Sequence, residues 1–185
     1  MGKVFDGIDE RNAKFIRAQH LFFVATAPLS GDGLVNLSPK GLEGLAILDE
    51  HTVAYLDFMG SGIETVAHVR ENGRIVLMFC AFEGPPRILR LHGKGDVFEP
   101  GDDDWEAMAG LFEGGTLRNV RSVVKVRVER VSDSCGYGVP LYDYQGDRKT
   151  LFEWSDRKDD ATLAGYRRDF NAKSLDGLPA LRRTE

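Results

Sequence analysis

Three short segments of the chain place anion-binding or conformationally special residues where apolar runs begin or end. Residues 35–41 leave a short run through a Pro-Lys-Gly turn, whose lysine is either a solvated surface residue or a ligand for an anion. Residues 55–65 carry two glycines and a serine ahead of a helical pattern, and residues 82–90 set two arginines at the start of another run. Each segment alone has an ordinary structural explanation, so their order and spacing must carry any functional argument.

The glycine-rich segment combines two possible roles in one serine. Ser61 lies between two glycines at the start of a helix predicted over 61–72, which Gly73 would end. Backbone amides at such a helix start can approach a phosphate closely, and the helix dipole favours negative charge there. Ser61 and Glu64 also fit a capping box, which is a purely structural role. Both interpretations stay open at this stage.

The other reactive side chains give weaker signals. Arg87 and Arg90 are either surface charges or donors to a phosphate. Cys135 stands in a glycine-rich turn, where a lone thiol is more often structural than redox-active. The four histidines and two cysteines lack the spacing of metal ligands, so no metal site is predicted.

Composition excludes several classes of function. The 185 residues are 42% hydrophobic and 29% charged, which is enough apolar material for one folded core. The net charge is −5 and the cations are scattered, which argues against nucleic acid or an anionic membrane as the main partner. The chain shows neither a membrane-spanning apolar run nor the apolar stretch of a signal peptide, so a cytoplasmic location is expected.

The periodicity of apolar residues predicts a chain made mostly of strands. Six runs predict strands: 21–27, 34–38, 52–58, 74–82, 87–98 and 122–131. Helices are predicted over 8–18, 61–72, 103–113 and, as a pair separated near residue 159, over 147–173. The apolar tail 178–181 is expected to dock against the rest of the chain.

These elements do not alternate as a parallel doubly wound sheet requires. We therefore predict a mainly β fold with peripheral helices, as a six-stranded antiparallel split barrel. One domain over 1–185 is expected, with a C-terminal helical extension from about 147. Side chains fill the interior of so small a barrel, so a ligand must bind in an outer crevice or at a subunit boundary.

In order and spacing, residues 21–98 resemble the FMN-binding split barrel of the pyridoxamine 5′-phosphate oxidase-like family. The shared features are a strand leaving through a lysine turn, a Gly-Ser helix start, a long apolar strand and a strand led by arginine. The resemblance to the pyridoxamine 5′-phosphate oxidase-related flavoproteins extends along most of the chain, through the runs 35–41, 60–82, 83–93 and 134–142.

This resemblance implies FMN bound at the interface of a homodimer. It places the lysine strand along the flavin edge, the Gly-Ser turn around the ribityl chain and phosphate, and the arginine-led strand near the ring. The cofactor-binding residues that it implies are Asn36, Leu37, Ser38, Pro39, Lys40, Asp57, Ser61, Gly62, Ile63, Thr65, Arg87 and Ile88.

The chain departs from true pyridoxamine phosphate oxidases in its charges. Gly62 and Ile63 stand where those enzymes have Arg-Lys, and Ile88 stands where they have glutamine. Their C-terminal Arg-x-His segment is not evident in 147–185. The implied function is therefore an FMN-dependent oxidoreductase acting on an unidentified small substrate. The alternative is a flavin-, deazaflavin- or haem-binding carrier module without turnover.

Two further expectations follow. The apolar runs 21–27 and 75–82 exceed what one face of a small barrel can hide, which favours a homodimer. Lys40 is expected on a turn, where its loss would weaken FMN binding but not the fold. Loss of Ser61 would weaken both, because Ser61 is expected to cap a helix.

Overall fold

The computed structural model of the protein describes residues 2–112 and 117–182. In them, a single sheet of eight antiparallel strands runs in the order β3-β2-β6-β7-β8-β5-β4, and β1 pairs with β8. The strands are β1 (Val4–Phe5), β2 (Phe22–Thr26), β3 (Asn36–Lys40), β4 (Leu45–Asp49), β5 (Thr52–Phe58), β6 (Arg74–Cys80), β7 (Ile88–Phe98) and β8 (Val120–Ser134). The helices are α1 (Glu10–Arg17), α2 (Glu64–Asn72), α3 (Trp105–Ala109), α4 (Thr150–Asp156) and α5 (Asp160–Asn171).

The mainly β class with peripheral helices is confirmed, but the count of six strands is wrong because β1 and β4 were missed. β1 has only two residues, too few to show a period. β4 shows no alternation, since Leu45, Ala46, Ile47 and Leu48 are all partly buried. An outer strand packed on both faces does not produce the period of two by which strands are recognised.

The barrel interior is built by alternation along the central strands. Val124, Val126 and Val128 of β8 are buried while Arg127 between them is exposed, as their sequence pattern predicts. The pairing of β7 with β8 shifts register between His92 and Gly93, which marks a bulge in the sheet. The interior is filled with apolar side chains and leaves ligands to the outer surfaces.

The β2–β3 hairpin decides which β3 side chains face the interior. Ser38 and Lys40 pair with Val24 and Phe22, both of which are buried. Paired residues of adjacent strands point to the same face, so Ser38 and Lys40 point inward. Leu37 lies between them in sequence and therefore points outward, where it is 63% exposed.

The C-terminal segment packs onto α2 and confirms that the tail is docked. Ala180 and Leu181 are buried in a cluster with Ile63 and Val66. The backbone amide of Leu181 donates to the carbonyl of Asn171 at the end of α5, and the amide of Ala180 donates to that of Ala172. Residues 183–185 of the predicted extension and residue 113 of the predicted helix 103–113 lie outside the described residues. Among the helices described, none is long and apolar enough to cross a membrane.

Candidate functional site

A buried carboxylate joins three strands at the open side of the barrel. Asp57 of β5 has no exposed surface. Its Oδ1 accepts a hydrogen bond from Lys40 Nζ at 2.8 Å, and its Oδ2 accepts one from Arg121 Nε at 2.7 Å. Ser122 Oγ lies 3.3 Å from the same Oδ2. A buried charge is tolerated only when it is paired and hydrogen-bonded, and Asp57 meets this condition from two sides.

Arg121 also shapes the turn before α2. Its Nη1 donates to the carbonyl of Gly60 at 2.8 Å, and its Nη2 donates to the carbonyl of Gly62 at 2.6 Å. Asn171 Nδ2 reaches the same Gly60 carbonyl at 2.8 Å from α5. These donors fix the position of the turn through its carbonyl oxygens. A Cβ added at Gly60 would meet no atom within 4 Å among the described residues.

The charges of this site determine the ionisation of Asp57. Burial alone would raise the pKa of this carboxyl group, but the charges of Arg121 and Lys40 outweigh burial and hold the pKa well below its ordinary value. Asp57 is therefore an anion, and two cations surround it. Lys40 is the more accessible of these cations, with 17% of its side chain exposed against 4% for Arg121.

A row of polar side chains continues the site along the inner face of β3. Asn36 Nδ2 donates to Thr65 Oγ1 at 2.9 Å, and Ser38 Oγ donates to Asn36 Oδ1 at 3.0 Å. Thr26 Oγ1 lies 3.0 Å from Nδ1 of the buried His68, whose pKa is lowered chiefly by its burial. The row links β2, β3 and α2 and presents amide and hydroxyl groups next to the charged centre.

The start of α2 differs from the capping box that the sequence predicts. The helix begins at Glu64, and Ile63 occupies its N-cap without a side-chain hydrogen bond. Glu64 Oε1 accepts from the amide of Leu175 instead of reaching back to Ser61. The cap fails because Arg121 holds the 60–62 turn outside the helix. Ser61 is exposed, and its hydroxyl is not used as a cap.

Two more residues of the implied set contribute little side-chain surface. Ile63 is buried among apolar neighbours, so only its backbone can meet a ligand. Thr65 is 4% exposed and is bound to Asn36. Gly62 is exposed on the turn itself.

Arg87 and Ile88 are not brought to this site. Arg87 donates to Asn12 Oδ1, and its guanidinium lies 4.8 Å from the ring centroid of Phe15. An ion pair at 3.4 Å also joins Arg87 to Asp133. Ile88 begins β7, which is separated from β3 by β2 and β6. The aromatic and acidic partners around α1 hold the arginine there.

The five residues of β3 divide between two faces. Asn36, Ser38 and Lys40 point to the charged and polar site. Leu37 and Pro39 are exposed on the opposite face of the strand, because successive side chains of a strand alternate. Lys40 is also the last residue of β3 and not a turn residue, which corrects the expectation that its loss would spare the fold.

Arg121 is the residue that the sequence interpretation missed. The sequence pattern predicts a strand from residue 122, so Arg121 falls outside it. In the structure, β8 begins at Val120 and includes Arg121. A signal was available, because Asp57 lies inside an apolar run and a carboxylate buried there requires a cation. The sequence contains too many arginines to choose this partner without the fold.

Comparisons with known proteins agree with the split barrel. A family model described as pyridoxamine 5′-phosphate oxidase matches residues 8–135. The pyridoxamine 5′-phosphate oxidase family protein ustO of Aspergillus flavus is 36% identical over 194 aligned residues, which cover 96% of this chain and 77% of the relative. The chain therefore belongs to the pyridoxamine 5′-phosphate oxidase family.

Solved structures with low sequence identity share the fold. A HupZ variant from Group A Streptococcus has a TM-score of 0.54 and 23% identity, covering 69% of this chain and 99% of that structure. A protein from Clostridium acetobutylicum related to general stress protein 26 has a TM-score of 0.53 and 13% identity, covering 68% and 86%. At such identities these structures support the architecture alone.

The pairing of Asp57 predicts a specific acid dependence of stability. An unfolded aspartate titrates near pH ~3.9, and the folded pKa of Asp57 is lower, so the unfolded chain binds more protons in acid. The pairing therefore stabilises the fold fully above pH ~5 and loses this effect as the pH falls. Asp57→Asn should lower the free energy of unfolding by about 3–5 kcal/mol at pH 7, because the buried Arg121 and the partly exposed Lys40 lose their partner.

Urea unfolding between pH 7 and pH 3 measures this difference. The parent and Asp57→Asn curves should converge as the pH falls, since only the parent loses the Asp57 contribution. Glu106→Gln, at an exposed carboxylate of α3, is the control and should follow the parent. Parallel curves for the parent and Asp57→Asn would show that Asp57 is not the paired anion described above.

Proposed function

We propose that the protein is an FMN-binding flavoprotein whose flavin phosphate lies between Lys40 and the 60–62 turn. The observation that carries this proposal is the excess positive charge around Asp57. Arg121 and Lys40 together bring two cations to one carboxylate. Lys40 has three N–H donors and gives one to Asp57, so two remain for an anion.

Arg121 is a positioning residue in this proposal. Its guanidinium is occupied by Asp57 and by the carbonyls of Gly60 and Gly62, so it does not reach a ligand itself. It compensates the charge of Asp57, which leaves the charge of Lys40 available. It also fixes the turn whose amides would donate to phosphate oxygens, where the α2 dipole favours negative charge. This arrangement replaces the Arg-Lys pair that the chain lacks at Gly62 and Ile63.

The polar row beside the charged site suits the remainder of the cofactor. The side-chain oxygens of Asn36 and Ser38 keep lone pairs that can accept hydrogen bonds from hydroxyl groups of a ligand, because their donors are used within the chain. Bound flavin would supply hydride or electron transfer, while these side chains bind and orient it. We accordingly propose oxidoreductase activity on a small substrate, with a carrier module as the alternative that the reduction experiment below separates.

We also propose that two copies of the chain pair through the outer face of β3, β2 and β6. Val35 is 75% exposed and Leu37 is 63% exposed on this face. Ala25 and Val76 pair across β2 and β6 on the same face and are only partly buried. A contiguous apolar sheet face of this kind is typical of an interface between subunits. It is the face of β3 opposite to the one that carries Ser38 and Lys40.

Flavin binding is tested by reconstitution with FMN. The parent should retain FMN at micromolar concentration and show the absorbance of a bound flavin. Lys40→Met should weaken FMN binding about 10–100-fold, as expected for one charge-assisted hydrogen bond to phosphate. Ser61→Ala should leave the thermal stability of the flavin-free protein unchanged, because Ser61 caps no helix.

Fluorescence titration measures these affinities, and Lys14→Met, at an exposed lysine of α1, is the matched control. Affinities are compared well below the unfolding temperature, because Lys40→Met also breaks the pair with Asp57. A parent that retains no FMN, or a Lys40→Met variant with parental affinity, would refute the phosphate site. Bound FMN that neither NADH nor NADPH reduces would favour the carrier alternative over turnover.

The dimer is tested by light scattering at low micromolar concentration. The parent should have twice the 20.6 kDa mass of one chain. Val35→Glu should shift the protein towards the monomer, because the substitution buries a charge in the interface, whereas Leu111→Glu, at an exposed residue after α3, should not. A monomeric parent would exclude this interface.

A further inference from the structure

A second cleft lies beyond the end of β3 and is separate from the charged site around Asp57. It has a volume of about 840 Å³ and opens between the start of β2, the β6–β7 turn and residues 140–145. Clefts that bind small organic molecules commonly measure about 300–1,000 Å³. This cleft therefore has the size of a ligand site.

Aromatic side chains form much of the wall of this cleft. Phe82 and Tyr142 lie with ring centroids 5.6 Å apart, and the amide of Tyr142 donates to the carbonyl of Phe82 at 3.0 Å. His20 and Tyr144 stack in parallel with ring centroids 3.6 Å apart. Phe23 lines the inner end. These contacts hold the irregular segment 140–145 in place, so the wall is formed before any ligand arrives.

Two carboxylates and one imidazole, that of His20 stacked on Tyr144, are the titratable acid and base groups that line the cleft beside its tyrosines. Glu83 and Asp143 line its mouth. No lysine or arginine is found among the described residues that line it. Aromatic faces attract cations through their quadrupole, and carboxylates add direct attraction. The same carboxylates repel phosphate and carboxylate groups.

We propose that this cleft binds an aromatic or otherwise apolar organic cation, such as a primary amine attached to a flat ring. The aromatic walls accept the ring, and the carboxylates of Glu83 and Asp143 accept the ammonium group. The cleft rejects phosphorylated ligands, in contrast to the Lys40 site. Phe23 in its wall pairs directly with Pro39 of β3, so the ligand lies next to the strand that carries Lys40. The proposal needs no flavin and stands independently of the proposed function.

Calorimetric titration with two matched probes tests the proposal on flavin-free protein. Tryptamine and indole-3-propionate share the indole ring and carry opposite charges at neutral pH. Tryptamine should bind at one site per chain, and indole-3-propionate should bind at least about tenfold more weakly. Equal binding of the two probes, or no binding of tryptamine, would overturn the proposal.

Variants at the mouth then locate the site. Glu83 and Asp143 are exposed, so their substitution should not disturb folding, which circular dichroism can verify. The double variant Glu83→Gln/Asp143→Asn should bind tryptamine about fivefold more weakly. Glu106→Gln, away from the cleft, should bind it as the parent does. Unchanged affinity in the double variant would contradict the proposed site.

Charge reversal provides a gain-of-function test. The variant Glu83→Lys/Asp143→Lys should prefer indole-3-propionate to tryptamine, because the aromatic wall is kept and the sign at the mouth is inverted. Retention of the parental preference would overturn the assignment of these carboxylates. A protein that binds tryptamine but no FMN would support this cleft while refuting the flavin site, so the two proposals fail separately.

Discussion

The structure depends on a carboxylate that has no contact with water. Asp57 lies near the end of β5 among buried residues, and its charge would be prohibitively costly there without partners. Lys40 and Arg121 supply them from β3 and β8. Because β3 and β5 are not neighbours in the sheet order, the Lys40 pair joins the two sides of the split in the barrel. The need to pair the charge of Asp57 therefore brings Lys40 and Arg121 together at the opening of the barrel.

The same constraint leaves one cation partly accessible at the opening. Arg121 uses its remaining donors on the carbonyls of the 60–62 turn, and Asn171 of α5 adds a third hydrogen bond to this turn. The turn is held outside α2, while Lys40 remains partly accessible. Segments that are distant in sequence therefore meet around Asp57 and the 60–62 turn. In the proposed function, ligand binding and barrel closure depend on the same ion pairs, so substitutions here are expected to change both.

The local pattern of apolar and polar residues is sufficient to predict much of the fold. The alternation in β7 and β8, the hairpin of β2 and β3, and the αL glycine at the end of α2 all follow from near-neighbour patterns. The family resemblance also located Asp57 and Lys40. What the sequence could not show was pairing across the split. Arg121 lies 64 residues from Asp57, and nothing local distinguishes it from the other arginines.

Long-range contacts decide the surroundings of two residues that the sequence analysis singled out. The Ser61 capping box is locally plausible, but a tertiary contact from Arg121 holds the 60–62 turn outside the helix. Arg87, which the family resemblance places near the flavin ring, contacts Asn12, Phe15 and Asp133 within its own chain. Neither set of contacts is visible in the local sequence.

The most direct measurement compares the affinities of FMN and riboflavin for the flavin-free protein by calorimetric titration. The two ligands differ only in the phosphate group, so their ratio isolates the contribution of Lys40 and the 60–62 turn. Two charge-assisted hydrogen bonds to the phosphate predict that FMN binds at least about 100-fold more tightly. If riboflavin binds as tightly as FMN, Lys40 and the 60–62 turn do not form a phosphate site and the central claim is wrong.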